Sequence, residues 1–244
     1  MRKLQRKWGS VRIGDSTIGM AKSAQPICRW PRNSVTIDPV PTRYQILKSM
    51  RSVLEPRGFK LAEGTFHRAT DAGFIDVINL QAGVGRLVGK STVNLGIYIP
   101  EVWVLLGKSD SIQQAREKTM PRETECAIRS RLSGLVYGSR GPERWFDRSD
   151  PSVGQTISEL LSGYALPWFE KLSSLSSIAG ELKADSSPWW IGWGIQAAIF
   201  KVSGDLEAAR SLLLEKRSNN RDPIKVEVFA SCIGIDLKSE SDRA

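Results

Sequence analysis

Residues 58–101 read GFKLAEGTFHRATDAGFIDVINLQAGVGRLVGKSTVNLGIYIPE. Three extended runs stand here between glycine-rich breaks. The first covers residues 59–68, the second 74–81 and the third 91–99. Asp71-Ala72-Gly73 supplies a turn after the first run, and the three glycines of residues 82–90 supply a loop after the second. Pro100 has no N–H to give a ladder and ends the third. Along a strand, side chains alternate between faces. Ile75, Val77, Asn79 and Gln81 therefore share one side of the second run, and Phe74, Asp76, Ile78 and Leu80 the other. In the third run Val93, Leu95, Ile97 and Ile99 make a core face. Thr92, Asn94, Gly96 and Tyr98 make a small, polar and aromatic one, where Gly96 leaves room for close approach. A strand that only fills a core has no use for amides, so Asn79, Gln81 and Asn94 mark the second face as the one to follow.

Upstream, Thr42 opens an amphipathic helix in which Ile46, Leu47, Met50, Val53 and Leu54 recur at helical spacing until Pro56-Arg57-Gly58 stops it. Downstream, residues 101–122 pass from an apolar start at Trp103 to a polar, loop-like stretch over 108–122. Residues 124–133, TECAIRSRLS, alternate as a fourth strand, with Cys126, Ile128 and Leu132 on one side and Glu125, Ala127, Arg129 and Arg131 on the other. A short helix competes for the same residues. Ser152 is placed to cap a helix running to about residue 172, with Pro167 breaking or kinking it. Residues 188–203, 205–216 and 223–233 read as helices. Ala197–Glu215 resembles half of a tetratricopeptide-type hairpin, with Gly204-Asp205 as its turn. One such unit does not stand alone, so it is expected to dock on the sheet.

The expected fold is α+β, an antiparallel sheet of about four strands with an N-terminal helix and a C-terminal helical region. Three parts follow: a basic, disordered arm over residues 1–38, an α+β domain over 39–185 and a helical tail over 186–244. The chain has 244 residues and a net charge of +9. Residues 1–40 alone hold eight Lys and Arg against Asp15 and Asp38. The body is therefore near neutral, and the charge does not make the whole protein a nucleic-acid binder. The arm reads as a non-structural extension, as the product of an upstream start with initiation at Met20 or Met50, or as a salt-sensitive contact for nucleic acid or anionic lipid. No apolar run approaches the length of a membrane span, and no apolar signal segment follows the basic N-terminus. Cys28, Cys126 and Cys232 form no pair with metal or disulfide spacing, so each reads as a small buried or inert residue. A cytoplasmic location fits them.

No motif carries catalysis. His67 is the single histidine, too few for a histidine-based metal site or a serine triad. The loop GVGRLVGKS misses the phosphate-loop spacing by one residue from either Gly83 or Gly85, and it joins two strands instead of opening a helix. Asp76, Glu101, Glu123 and Glu125 are carboxylates without a recognisable partner. No metal and no cofactor are expected. Trp189, Trp190 and Trp193 lie at helical spacing, which fits a core or a domain junction, or a partner patch if exposed. The constellation with most chemical content is Asn79, Gln81, Asn94, Tyr98, Arg129 and Arg131. With neighbouring strands these six share one face, offering directional donors and acceptors and two guanidinium forks. The alternative is a polar network that pins strand register or meets the helical tail.

The order GF, TFHR, VINLQ and VNLGIYIPE, followed by ECAIRSRLSGL, the linker Arg144-Trp145-Phe146 and a helix ending YALPWFEKL, resembles the bacterial domain of unknown function 4304 family over roughly residues 42–172. The resemblance implies a bacterial cytosolic α+β protein and no activity; the arm lies outside it. Three functions are carried forward. The first is a non-enzymatic module that engages a protein partner through the polar face or the Trp-rich helices, for which an immunity or accessory role beside a toxin is one fit. The second is an enzyme or binder for a phosphate- or carboxylate-bearing ligand that uses Arg129, Arg131 and a carboxylate such as Glu125. The third is nucleic-acid contact through residues 1–38.

Overall fold

The computed structural model describes residues 42–138, 144–183 and 192–237. They lie in one compact unit, Asp38–Ala244. The arm of residues 1–38, the start of the helix expected from residue 188, and Trp189 and Trp190 fall outside the described residues.

Helix α1 (Arg43–Leu54) begins where expected. Thr42 accepts from the Gln45 backbone and the Gln45 side chain accepts from the Thr42 N–H, a reciprocal capping box. Its Ile46, Met50 and Leu54 are buried. Thr42→Ala removes the first of these bonds, and urea denaturation should show a loss of about 1 kcal/mol.

The sheet is antiparallel throughout, with strands β1 (Lys60–Ala62), β2 (Thr65–Ala69), β3 (Ile75–Ala82), β4 (Lys90–Tyr98) and β5 (Ile128–Arg131) in that spatial order. The two-residue β6 (Phe146–Asp147) pairs with the far end of β4. The count exceeds four for two physical reasons. The run at 59–68 is two strands, because Glu63 and Gly64 both take positive φ (50° and 81°) and reverse the chain in two residues. The strand β6 is too short to show a period. The fold is thus α+β, with helices before and after the sheet.

One face of the sheet is buried. Phe66, Ile78, Leu80, Val93, Leu95, Ile97 and Ile128 join one cluster with Ile46, Met50 and Leu54 of α1 and with Val153, Ile157, Leu161 and Phe169. The last four belong to a single helical run: α5 (Val153–Leu160), a π-turn over Leu161–Ala165 and α6 (Leu166–Lys171). Pro167 sits just after the π-turn, which widens the helix where proline withholds a hydrogen bond and spares it a break. Ser152 does not cap this run with its side chain; its hydroxyl donates to Asp150 at 2.7 Å.

Among these apolar side chains lies one ion pair. Arg68 Nε and Nη2 both donate to Asp76 Oδ2, at 2.9 and 2.7 Å, and the Arg68 Cζ sits 4.5 Å from the Phe59 ring centroid. Asp76 is 2% exposed. Burial pushes its carboxyl up to about 6, against the hydrogen bond and charge of Arg68. Arg68 and Asp76 are direct partners in the β2–β3 register. A slip of two residues would leave every side chain on its proper face, yet it would separate these two and strand a buried charge.

Helices α7 (Leu175–Lys183), α8 (Trp193–Val202), α9 (Leu206–Asn219) and α10 (Pro223–Cys232) follow. The serine-rich start of α7 hid it from periodicity. Gly204 (φ 86°) turns the chain and Asp205 caps α9 by accepting from the Ala208 N–H. Ala197, Ala209, Leu213, Val226 and Ala230 form a second cluster, in which α8, α9 and α10 meet over small residues. Ala198 and Ile199 of α8 belong to the sheet's own cluster. The Trp193 ring packs edge-on against Phe229 at 5.2 Å. Cys126 is buried and Cys232 exposed; both are free thiols.

Candidate functional site

The strand register settles which side chains share the second face. Thr65 pairs with Asn79, Asn79 with Asn94, and Asn94 with Arg131. These four make one row across β2, β3, β4 and β5. The adjacent row toward the strand ends holds Gln81 and Thr92. On the other side the next rows hold His67, Val77, Gly96 and Arg129, then Ala69, Ile75 and Tyr98. All six residues of the expected constellation therefore lie on one face.

They do not share one environment, because residues 99–127 roof half of it. This segment carries α2 (Pro100–Leu105) and α3 (Ile112–Glu117), the latter inside the stretch expected to be loop and capped by Ser111. Under the roof Tyr98 is 0% exposed; its hydroxyl donates to Ala115 O at 3.1 Å and its ring packs tilted against Trp103, with centroids 5.7 Å apart. Burial pushes its phenol up to about 12. Tyr98 is thus not on an open surface. Gly96 receives Cys126: an added Cβ would stand 2.6 Å from its Sγ. Cys126 packs with Ile75, Val77 and Tyr98, on the face opposite Ile128. The alternation expected over 124–133 fails at that point because residues 123–125 form a helical turn and reset the phase, and it ends at Arg131, where helix α4 (Leu132–Tyr137) begins. Burial raises the Cys126 thiol well above its ordinary value.

The roof's trailing edge is tied down over the row of His67 and Arg129. His67 Nε2 donates to Pro121 O at 3.0 Å, and its Nδ1 is buried without a hydrogen-bond partner. Burial holds the imidazole below its usual range. Arg129 pairs with Glu123 at 2.6 Å. Lys118 and Arg122 both hold Glu125. Burial pushes that carboxyl up, but its hydrogen bonds from Lys118 and the Arg122 backbone prevail and lower it. Glu101 is held by Arg116 at 2.7 Å. With Asp76 on the other face against Arg68, each of the four candidate carboxylates is held by cations of its own.

Beyond the roof edge the face is an amide shelf. Asn79 Nδ2 donates to Thr65 Oγ1 at 2.9 Å, and Asn94 Nδ2 donates to Gln81 Oε1 at 2.8 Å. Gln81 is exposed and Asn79 half-buried, whereas Asn94 is 6% exposed. Thr92 Oγ1 is buried without a partner. Arg131 lies with its Cζ 5.9 Å from the Trp145 ring. Trp145 belongs to the linker Arg144-Trp145-Phe146, and the two-residue strand that follows is too short for a period to assign it to this face. The loop after β3 continues the shelf to a hairpin tip, where Val84 and Val88 are exposed. That loop, with its single turn of 3-10 helix at Gly85–Leu87, opens no helix of its own toward a phosphate.

The sequence model of one family, described as Domain of unknown function (DUF4304), matches residues 50–171. No curated protein and no solved structure matches the chain. The matched span runs from the second half of α1 through the end of α6, so it contains the whole sheet, the roof and the amide shelf. No helix among the described residues is long and apolar enough to cross a membrane.

Proposed function

We propose for this chain, which belongs to the domain of unknown function 4304 family, a non-enzymatic role as a protein-binding module of the bacterial cytosol, with the amide shelf as its contact surface. The observation that carries the reading is the division of labour across one sheet face. The roofed half commits Tyr98, Arg129, His67 and the nearby carboxylates to internal partners. The other half presents the exposed Gln81 and the half-buried Asn79, a half-buried Trp–Arg pair and an apolar hairpin tip. Aromatic and arginine side chains are what protein-contact surfaces favour. A reaction on this face would need a proton-transfer group within hydrogen-bond reach of a substrate; Glu123 and Glu125 at the roof edge are held in ion pairs, and Asp147 accepts from the Ser149 backbone and hydroxyl. An accessory role, such as neutralising a partner protein, is the biological form this reading takes.

A photo-crosslinking residue at Gln81, compared with one at Glu207 on α9, tests it. The expected result in the source cells is one adduct specific to position 81. That protein, once purified, should rebind the full chain and lose about tenfold in affinity, or 1.4 kcal/mol, to Gln81→Arg. No position-specific adduct, or an adduct protein indifferent to Gln81→Arg, overturns the reading.

A further inference from the structure

We propose that His67 is a pH-operated latch for the roof: its trailing edge lies closed on the sheet while the imidazole is neutral, and lifts when Nδ1 takes a proton. The latch is independent of the protein-binding reading. Two successive carbonyls of the edge are tied from below. Pro121 O accepts from His67 Nε2 at 3.0 Å, and Arg122 O accepts from Cys126 Sγ at 3.7 Å. A carbonyl only accepts, so Nε2 carries the proton of the neutral ring. Nδ1 then holds the lone pair, and it is buried with no hydrogen-bond partner. A proton there makes a buried, charged N–H that nothing accepts.

The charges around the ring give no relief. Lys60 is its register partner on β1, and Arg129 lies in its row on β5; both are cations. The strand between them and the ring, β3, sets Val77 beside it and brings no charge to this face. On the roof Glu123 is held by Arg129, Glu125 by Lys118 and Arg122, and Glu101 by Arg116, while the exposed Glu117 accepts from Gln113. Asp76 is on the opposite face against Arg68. Water can satisfy Nδ1–H once the edge at the buried Pro121 lifts, a local opening that leaves the sheet in place. Lifting it uncovers Val77, Tyr98 and Cys126, an apolar patch that the closed roof covers.

The sign follows from which state binds the proton. Burial holds the imidazole of the closed state below its ordinary value. Closure is therefore at full strength above about pH 6.5 and weakens as pH falls through that value toward the lower one. Asp76 titrates nearby with the opposite sign, since burial raises its carboxyl and acid neutralises it.

The test labels the full chain with a methanethiosulfonate about one pH unit above and one below the ordinary imidazole value, and quantifies the labelled peptides by mass. Cys126 is 4% exposed beneath the edge, and the exposed Cys232 is the internal reference for the pH dependence of the thiol chemistry. The ratio of Cys126 to Cys232 labelling should rise about five- to tenfold on acidification. His67→Gln keeps an N–H for Pro121 O and does not titrate, so its ratio should change by less than about twofold. A second measurement needs no variant. His67 is the single histidine, so its ring signals in an NMR titration of the full chain are its own, and they should show the Nε2–H tautomer with a midpoint below about 6.5. Four outcomes overturn the latch: a constant ratio in the natural chain; an equal rise in His67→Gln; a rise accompanied by loss of the far-UV circular dichroism, which would mean global unfolding; and a ring that titrates at or above its ordinary value.

Discussion

Replacing Arg68 with methionine should destabilise the protein by about 3–5 kcal/mol at pH 8, the usual cost of breaking a buried ion pair from one side. The carboxylate left behind is 2% exposed; its residue pairs with Ile97 across β4 and shares its face with Phe66 and Ile78. Methionine keeps part of the packing on Phe59 but gives up the cation–π contact and both bonds to Asp76 Oδ2. The pH dependence has a definite sign. Asp76 already sits at about 6 in the folded protein, above its ordinary value of 3.8. Without Arg68 its carboxyl rises further. A group raised in the folded state gives its full stabilisation below its unfolded pKa and loses it as pH rises through the folded one. The deficit of the variant should therefore shrink between pH 8 and pH 5. Urea titrations at the two pH values measure it. A deficit below about 1 kcal/mol at pH 8, typical of an exposed pair, or one that grows on acidification, would show that Asp76 is not the buried charge described.

The second large effect is expected at Gly96. Any side chain there meets Cys126 Sγ at 2.6 Å and Cβ at 2.7 Å, with Glu123 O 3.6 Å away. Gly96→Val overfills the seat of the roof and should cost about 2–3 kcal/mol. The loss belongs to the pair, so Gly96→Ala combined with Cys126→Gly should cost less than the two single changes summed, by about 1 kcal/mol or more. Strict additivity in that cycle would mean the strain comes from the backbone of β4 and not from Cys126.

The two central strands were legible because nothing local competed with them. Alternation, glycines and Pro100 place β3 and β4 within one residue of their observed ends. The capping box at Thr42 and the Gly204-Asp205 turn were equally plain. What stayed hidden had a common cause: local chemistry cut an apparent run short. Glu63 accepts positive φ beside Gly64 and divides a strand that residues 59–68 present as continuous. The turn at residues 123–125 shifts Cys126 to the face opposite Ile128. The polar face could be read from period two alone, and its six residues do align. Their fates could not be read, because Ala115, Pro121 and Glu123, which hold Tyr98, His67 and Arg129, come from the roof and depend on how it folds back.

The roof leaves the sheet after Tyr98 and rejoins it at Ala127, whose N–H donates to Ile97 O at 2.9 Å. It therefore departs from one strand and returns to that strand's immediate neighbour. The ladder requires only that the two ends meet; it sets neither the length nor the content of what lies between. The cluster of contacts under the roof and the amide row beside it are consequently separable in design. A different insertion between β4 and β5 would give the same shelf a new wall, and a new selectivity, with every strand pairing left in place.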